Sequence, residues 1–471
     1  MNITEQTVSF NEIEQKVLRK VNELGRKELK RVLEEWDTAL MESRDKGTYR
    51  HKGRHKTTIK TLMGEVEYNR VVYEVWEDGV KLGHCYLLDE AMGISCSGQL
   101  SELLCAQIVQ ASCTMTYRET ARAVSEMTGQ SISHTAAWNV VQAVGEQLDE
   151  AEQRAAGLAA AEKGTGTIEA KVLFEEQDGI SLSLQGKSRK EYGERKDMKL
   201  AIAYDGAKKS GKNRYTLTNK VACANFEGIE DFVGRKEGAI AGAYNVDEIE
   251  LRLLNGDGAN WIRRNLIDGS IHYQLDPFHR NKWVTETVAD EAARKNIMKA
   301  LYSNDPELLL HVIEVEAAST DDEAVRENYM RLHGYFEKNR DGIVPWQHRG
   351  LEIPAAPEGK EYRRMGACES NIYTIIGNRM KGGRANWSID GGNNLARLLC
   401  LKFTGKLTGV LANLSAMVLP ERYSEEVKVE FSAAQIPQRE GKGYNGFRQA
   451  SIPSDQKWLK DIASLKPLSS L

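Results

Sequence analysis

The sequence predicts an α/β chain, helical at its start, strand-rich through its middle and helical again towards its end. Residues 11–41 and 97–147 space their apolar side chains as helices do. A small-residue stretch from Ala155 to Gly166 follows and is expected to be a linker. From Ile168 to Leu254, short runs rich in β-branched residues recur between turns, as strands do. A chain of 471 residues is long for one core, so two to four domains are expected. With 41% hydrophobic and 28% charged residues, the composition is that of a folded protein. The net charge of -4 argues against a protein that coats nucleic acid through overall basicity, although a local patch rather than the total sets the field that meets phosphate. The seven cysteines (85, 96, 105, 113, 223, 368 and 400) include no CxxC pair, which argues against a zinc ribbon or disulfide framework and for a reducing cytosol. The first residues lack a basic, then apolar, leader. Leu407 to Leu419 is too short and too polar to cross a bilayer and is expected to be a buried helix.

In the first domain, residues 1–95, Ile13, Val17, Val21, Leu24, Val32, Trp36 and Leu40 mark one face of an amphipathic helix over Asn11 to Met41. The most basic stretch follows, with seven cations (44, 46, 50, 52, 54, 56 and 60) against one acid, Asp45. It runs into alternating residues on both sides of Met63-Gly64, the pattern of a hairpin. Arg50, Lys52, Arg54 and Lys56 are candidate phosphate contacts, set against the plain alternative of a solvated face. The second domain, residues 96–154, reads as helical. Within it, Thr116 to Gly129 and Ser131 to Val141 form two helices across a glycine turn, the helix-turn-helix pattern. Ser133, His134 and Thr135 are the short polar residues that such a second helix offers to base edges, while Trp138 and Val141 anchor it from behind.

Strands are expected over Ile168 to Gln177, Ile180 to Leu184 and Met198 to Tyr204, with one or two more in Arg214 to Phe226 and another over Glu248 to Leu254. A helix follows from Trp261; Asn281 to about Asn339 is charged and helical; helices return over Met365 to Gly377 and Asn393 to Ala416. Two glycine motifs are set aside. Gly206 to Asn213 has P-loop spacing but ends on Asn213, which lacks the hydroxyl for magnesium, and a strand rather than a helix follows, so a basic β-turn is expected. Gly441, Gly443 and Gly446 have no strand before them.

Acids at strand ends are the stronger signal. Asp178 is expected to end one strand and Asp257 another, while Glu369 sits in a helix. Three such carboxylates can converge at one sheet edge, where hard oxygen ligands suit magnesium or manganese. A pair of these ions clamps both oxygens of an in-line phosphoryl transfer. Asp-Gly is also a common turn dipeptide, and it recurs at Asp205, Asp268 and Asp341. Asp205 is the nearest competitor for the first acid.

Gly256-Asp257-Gly258-Ala259-Asn260-Trp261-Ile262, followed by Leu275-Asp276-Pro277-Phe278-His279, resembles the second-aspartate block of Mutator-like bacterial transposases. Glu369, with Asn378 to Ser388, resembles the third-acid block of their ISLre-type insertion-sequence branch. The hairpin and helix pair also resemble that branch, so the likeness covers most of Asn11 to Leu411. It implies an RNase H-like catalytic core over 165–283 and 361–419, interrupted by a helical insertion at 284–360 and followed by a polar tail at 420–471. It further implies a DDE-type transposase: Asp178, Asp257 and Glu369 hold Mg2+ (or Mn2+) and cleave and join double-stranded DNA. Arg379, Lys381 and Arg384 are candidate phosphate contacts, and Asp276 and His279 supporting residues. Partners are then element ends and target DNA, with a homodimer or higher oligomer assembled on DNA, in the cytoplasm at the nucleoid. The alternatives are an inactive, domesticated DNA-binding descendant and an RNase H-like nuclease or resolvase.

Overall fold

The computed structural model describes residues 9–92, 100–164, 166–264 and 270–412. The expected tail at 420–471, the glycine motif at 441–446, Cys96 and the Asp268 turn lie outside the described residues, as does the expected helix beyond residue 412.

Helix α1 (Phe10–Ser43) opens on a capping box, Ser9 and Glu12 each bonding the other's backbone N–H. Leu29, Leu33 and Leu40 pack it on a three-stranded sheet of β1 (Tyr49–Thr61), β2 (Gly64–Glu77) and β3 (Val80–Cys85). Buried Asp37 fixes the docking, its carboxylate accepting from the Val71 N–H at 3.1 Å. The hairpin turns at Leu62-Met63, as the alternation predicts. A short helix, α2 (Leu87–Ala91), closes this part, and buried Arg70 pairs there with Asp89.

Three helices follow: α3 (Glu102–Ser112), α4 (Tyr117–Thr128) and α5 (His134–Ala160). Gly129, at φ 67°, ends α4 in the left-handed conformation that glycine adopts freely, and Ser133 caps α5 through the Ala136 N–H. The hairpin end is stitched to this turn, since Lys60 Nζ donates to the Ser131 carbonyl at 2.6 Å and Gln130 to that of Thr61. Helix α5 runs six residues into the expected linker. Its alanines are not spacers but the surface against which the helix Ile229–Ala241 packs, small enough for backbones to approach.

The central sheet takes its strands from β4 (Val172–Ser183), β5 (Arg195–Tyr204), β8 (Val221–Asn225), β9 (Leu251–Gly256) and β10 (Ile271–Leu275). Helix α6 (Gly186–Tyr192) joins the first pair, and a separate hairpin of β6 (Ala207–Gly211) and β7 (Arg214–Leu217) precedes β8. That hairpin is the P-loop-like segment, a turn between strands as expected. Helices α7 (Ile229–Ala241) and α8 (Asn260–Arg263) complete the region. The order across the sheet is β10-β9-β4-β5-β8, with β4, β9 and β10 parallel and β5 antiparallel to both its neighbours.

One expectation fails here. Asp178-Gly179 is not a turn between two strands: β4 continues through it, Asp178 pairing with Leu200 and Gly179 with Lys199. Ten consecutive pairings with β5 hold the dipeptide extended, a constraint the local sequence does not carry.

Helices α9 (Pro277–Thr287), α10 (Glu291–Tyr302), α11 (Pro306–Ala318) and α12 (Glu323–Lys338) share a core with Leu254, Tyr273 and Leu275 of β9 and β10. The charged helical stretch therefore sits within the sheet domain, between β10 and the return of the chain. After it come α13 (Cys368–Ile372), a π-helical turn over Tyr373–Gly377, α14 (Asn378–Met380), α15 (Ile389–Phe403) and α16 (Leu407–Leu411). A single apolar cluster joins Leu104 and Ile108 of α3, Val140 and Val144 of α5, Phe174 and Leu182 of β4, and Leu395 and Leu399 of α15. Within the expected domain 96–154, the described residues from Leu100 onward thus share the core of the sheet. Among the described residues no helix is long and apolar enough to cross a membrane.

The approach of α5 and α7 gives a direct check. A Cβ at Gly238 would lie 2.6 Å from the Ala156 backbone nitrogen, whereas one at Gly157 meets nothing within 4 Å. Gly238→Val is expected to cost about 1–3 kcal/mol in urea denaturation. Gly157→Ala should be neutral or stabilise by up to about 1 kcal/mol. Equal effects of the two substitutions would contradict the packing.

Candidate active site

Strand pleating places Phe174, Glu176, Asp178 and Ile180 on one face of β4 and Glu175 and Gln177 on the other. On the second face, buried Glu175 accepts from Lys236 of α7 and Arg252 of β9, both at 2.7 Å. On the first face, Glu176 is fully buried. Its carboxylate accepts from the Tyr204 hydroxyl at 2.6 Å and from the backbone N–H groups of Gly366 and Cys368 at 3.0 Å each. Burial pushes this carboxyl above its ordinary range despite those donors. The bonds to residues 366 and 368 seat the start of α13 on the sheet, and Glu369 is the next residue.

Register supplies the neighbours of Asp178. Glu176 pairs with Asn255, so two residues further on Asp257 comes level with Asp178. Leu275 pairs with Gly256, so Asp276 follows beside Asp257. Three aspartates from three parallel strands thus line one sheet edge. Asp276 caps α9 through the His279 N–H at 3.0 Å and bonds the ring Nδ1 at 2.9 Å. Asn255 holds the other oxygen of Asp276 at 2.7 Å. The ring is thereby turned so that Nε2 faces Asp178 Oδ2 at 4.0 Å.

Asp178, His279 and Glu369 each offer one ligand atom, all within 4.8 Å of one another, a spacing that a single cation can bridge. Burial and then the charges of Asp257 and Glu369 raise the Asp178 carboxyl to about 6, partly opposed by His279 and the Gly179 N–H. Burial lowers the His279 ring, but Asp276, Asp178 and Asp257 outweigh it and leave the ring above its usual value. Burial likewise pushes Asp276 up, and its bonds to His279 and Asn255 bring it below the ordinary range. Two carboxylates and an imidazole with a carboxylate behind it suit manganese or magnesium, the nitrogen tilting the set towards manganese. Asp257 turns one oxygen to the Ala259 N–H at 2.9 Å.

The remaining candidates divide. Asp205 lies at the opposite end of the sheet, since β5 runs antiparallel to β4, and its carboxylate is filled by Lys360 at 2.5 Å, Thr218 and Asn219. It is a structural anchor. Arg379, expected to meet phosphate, instead donates to the Ser112 carbonyl at 2.7 Å and lies over the rings of Tyr117 and Trp387, clamping α14 to α3 and α4. Lys381 and Arg384 are exposed, in the loop whose Trp387 pairs with Ser183 at the end of β4 beyond Asp178. Their edge of the sheet is that of the acids.

On the hairpin, Lys52 meets Glu74 at 3.2 Å, Lys56 meets Glu67 at 2.6 Å and Arg50 stacks over Trp76 at 4.0 Å. Much of the basic run is thus balanced by β2 acids across the ladder, while Arg54 stands exposed. Ser133 is spent as a cap; His134 is exposed and Thr135 half-buried at the start of α5. The sequence reading missed His279 as a direct ligand candidate, although His279 three residues after Asp276 with Pro277 between is itself a helix-start signal.

A family model described as Uncharacterised protein family (UPF0236) matches residues 3–412. The chain belongs to the UPF0236 family. Its relatives include UPF0236 protein TTE0610/TTE0881/TTE1053/TTE2432 of Caldanaerobacter subterraneus subsp. tengcongensis, 25% identical over 404 residues, covering 84% of this chain and 77% of the relative. Another, UPF0236 protein in vanSb 3'region of Streptococcus gallolyticus, is 23% identical over 418 residues, covering 87% and 85%. Among solved structures, the Drosophila P element transposase strand transfer complex aligns with 69% of this UPF0236 chain and 85% of that chain, at 10% identity and a TM-score of 0.20. A likeness that loose carries no argument.

The raised Asp178 carboxyl has a measurable consequence for the cation-free protein. Its folded value near 6 exceeds the ordinary 3.8, so its contribution to stability declines as pH rises from about 4 to about 6. The penalty is then constant, at most about 3 kcal/mol. Asp178→Asn keeps an acceptor for Gly179 and removes the charge. In urea denaturation with EDTA the variant should match the parent near pH 4 and exceed it in stability above pH 7. No gain at pH 8 would contradict the account of this cluster.

Proposed function

We propose that this protein is a DDE-type transposase of an insertion sequence, binding element ends and catalysing cation-dependent DNA cleavage and strand transfer. The observation that carries the reading is the grouping of Asp178 of β4, His279 of α9 and Glu369 of α13, with ligand atoms within 4.8 Å of one another, and Asp257 brought level with Asp178 by the pairing of β4 and β9. The strand order, with three antiparallel strands first and two parallel strands added beside the first, is in keeping with an RNase H-like core. The helical insertion between Asp257 and Glu369 agrees with the resemblance in the sequence blocks. The name of one relative joins eleven locus labels of a single genome, a pattern in keeping with a gene copied from place to place.

Divalent ions bound here would neutralise a phosphodiester and align water or a 3′-hydroxyl for in-line displacement. The chain's own part is to hold and orient. Asp178 and Glu369 present oxygens and His279 a nitrogen to one position; Asp257 presents an oxygen beside it. Asp276 fixes the ring of His279, which sets its tautomer with Nδ1–H towards the carboxylate. Before a cation binds, the clustered carboxylates repel phosphate, so productive DNA binding waits on the cation. Lys381 and Arg384, on the same edge, and Arg54 on the hairpin are proposed to meet the DNA backbone. No serine or tyrosine nucleophile is required.

A strand-transfer assay with a 3′-labelled element end tests the reading. Asp178→Ala, Asp257→Ala and Glu369→Ala should each abolish cleavage and joining with DNA retention largely kept, while Asp205→Asn should retain the reaction at some cost in stability. Asp276→Ala should weaken Mn2+ affinity by about 10–100-fold, read by titration calorimetry. If the three acid variants cut and join as well as the parent, the catalytic reading is wrong. Cutting without joining would leave a nuclease.

A further inference from the structure

Helix α1 carries more apolar surface than the hairpin covers. Phe10, Ile13, Val17, Val21 and Leu24 are each between 48% and 77% exposed. At about 100° per residue these five positions fall within a stripe about 80° wide. The stripe faces away from the side that packs Leu29, Leu33 and Leu40 on the hairpin, and it runs about 21 Å along the helix. No described residue packs over it.

The spacing of the stripe is 3, 4, 4, 3, which reads the same in both directions from Val17. A helix laid antiparallel across a two-fold axis at Val17 would set Phe10 against Leu24, Ile13 against Val21, and Val17 against its own equivalent. Such self-complementarity is what an isologous interface requires. Charge agrees in net: residues 10–16 carry Glu12 and Glu14 against Lys16, while residues 18–27 carry Arg19, Lys20, Arg26 and Lys27 against Glu23, which meets Lys20 and Lys27 on its own helix, and the two-fold sets Glu14 opposite Lys20. Antiparallel pairing brings acid over base, whereas parallel pairing stacks like on like.

We propose that α1 is a self-association surface, and that two copies of this chain pair antiparallel through Phe10, Ile13, Val17, Val21 and Leu24 about an axis at Val17. The contact is independent of the catalytic reading. Its modest length puts it at the low end of stable interfaces, so pairing should depend on concentration.

The full-length protein is to be examined by sedimentation equilibrium and by oxidative cross-linking. The parent should shift from one chain towards two as concentration rises. Val17→Glu, an exposed position whose circular dichroism should be unchanged, should remain a single chain. Val17→Cys should form a disulfide dimer under mild oxidation beyond any background of the parent. Phe10→Cys alone should not, but a mixture of Phe10→Cys and Leu24→Cys chains should cross-link to each other. Cross-linking of Phe10→Cys to itself as readily as Val17→Cys would indicate parallel helices and overturn the proposal. So would a parent that stays monomeric with an uncross-linked Val17→Cys, the result expected if residues 413–471 cover the stripe instead.

Discussion

The geometry of the acidic edge depends on one buried side chain that takes no part in it. Glu176 accepts a hydrogen bond from Tyr204 on the neighbouring strand and two from the backbone at residues 366 and 368, nearly two hundred positions later in the chain. A buried carboxylate without donors would be costly, so the sheet and the returning segment must meet for either to be satisfied. Because Glu176 and Asp178 share a face, and Glu369 follows Cys368 directly, this clasp sets the distance between the first and third acids. The second face of β4 obeys the same demand, with Glu175 neutralised by Lys236 and Arg252. Consecutive buried acids on one strand thus serve opposite sides of the sheet: one fastens α7, the other α13.

Parallel pairing supplies what the clasp does not. Strands β4, β9 and β10 run in one direction, so Asp178 within β4 comes level with Asp257 and Asp276, which follow the ends of β9 and β10. Like charges so close destabilise the ionised, cation-free form, and the protein offsets part of that with His279, held by Asp276 and directed at Asp178. Antiparallel β5 carries Asp205 to the far end, where Lys360, Thr218 and Asn219 make it a strut. Two Asp-Gly dipeptides that look alike in sequence therefore have unrelated duties.

Cations are likewise distributed by packing rather than by abundance. The densest basic run lies on β1, yet β2 sets Glu67 and Glu74 opposite it, and Lys60 is drawn inside to join the hairpin to the turn before α5. Arg379 is spent on clamping helices, while Lys381 and Arg384 stay exposed two to five positions later. The helix pair α4–α5 keeps its expected caps but donates most of α5 to the common core, which leaves His134 and Thr135 at its outer end.

Periodicity along the chain was enough to read α1, the β1–β2 hairpin, the capped helix pair and the charged helical stretch, because each is governed by neighbours three or four residues away or directly across a short turn. Flanking motifs singled out Asp257 and Glu369 as candidates for the same local reason, but which acids come within reach of Asp178 is decided by packing. Long-range contacts decided the rest. That Asp178 sits within a strand follows from ten pairings with β5, and that Ala155 to Ala160 is helix follows from the close approach of Gly238. His279 entered the candidate site because the cap on α9 happens to aim its ring across the sheet edge. Glu176 carried no signal at all, since a buried acid is indistinguishable in sequence from a solvated one until its donors, 190 and 192 residues away, are brought to it.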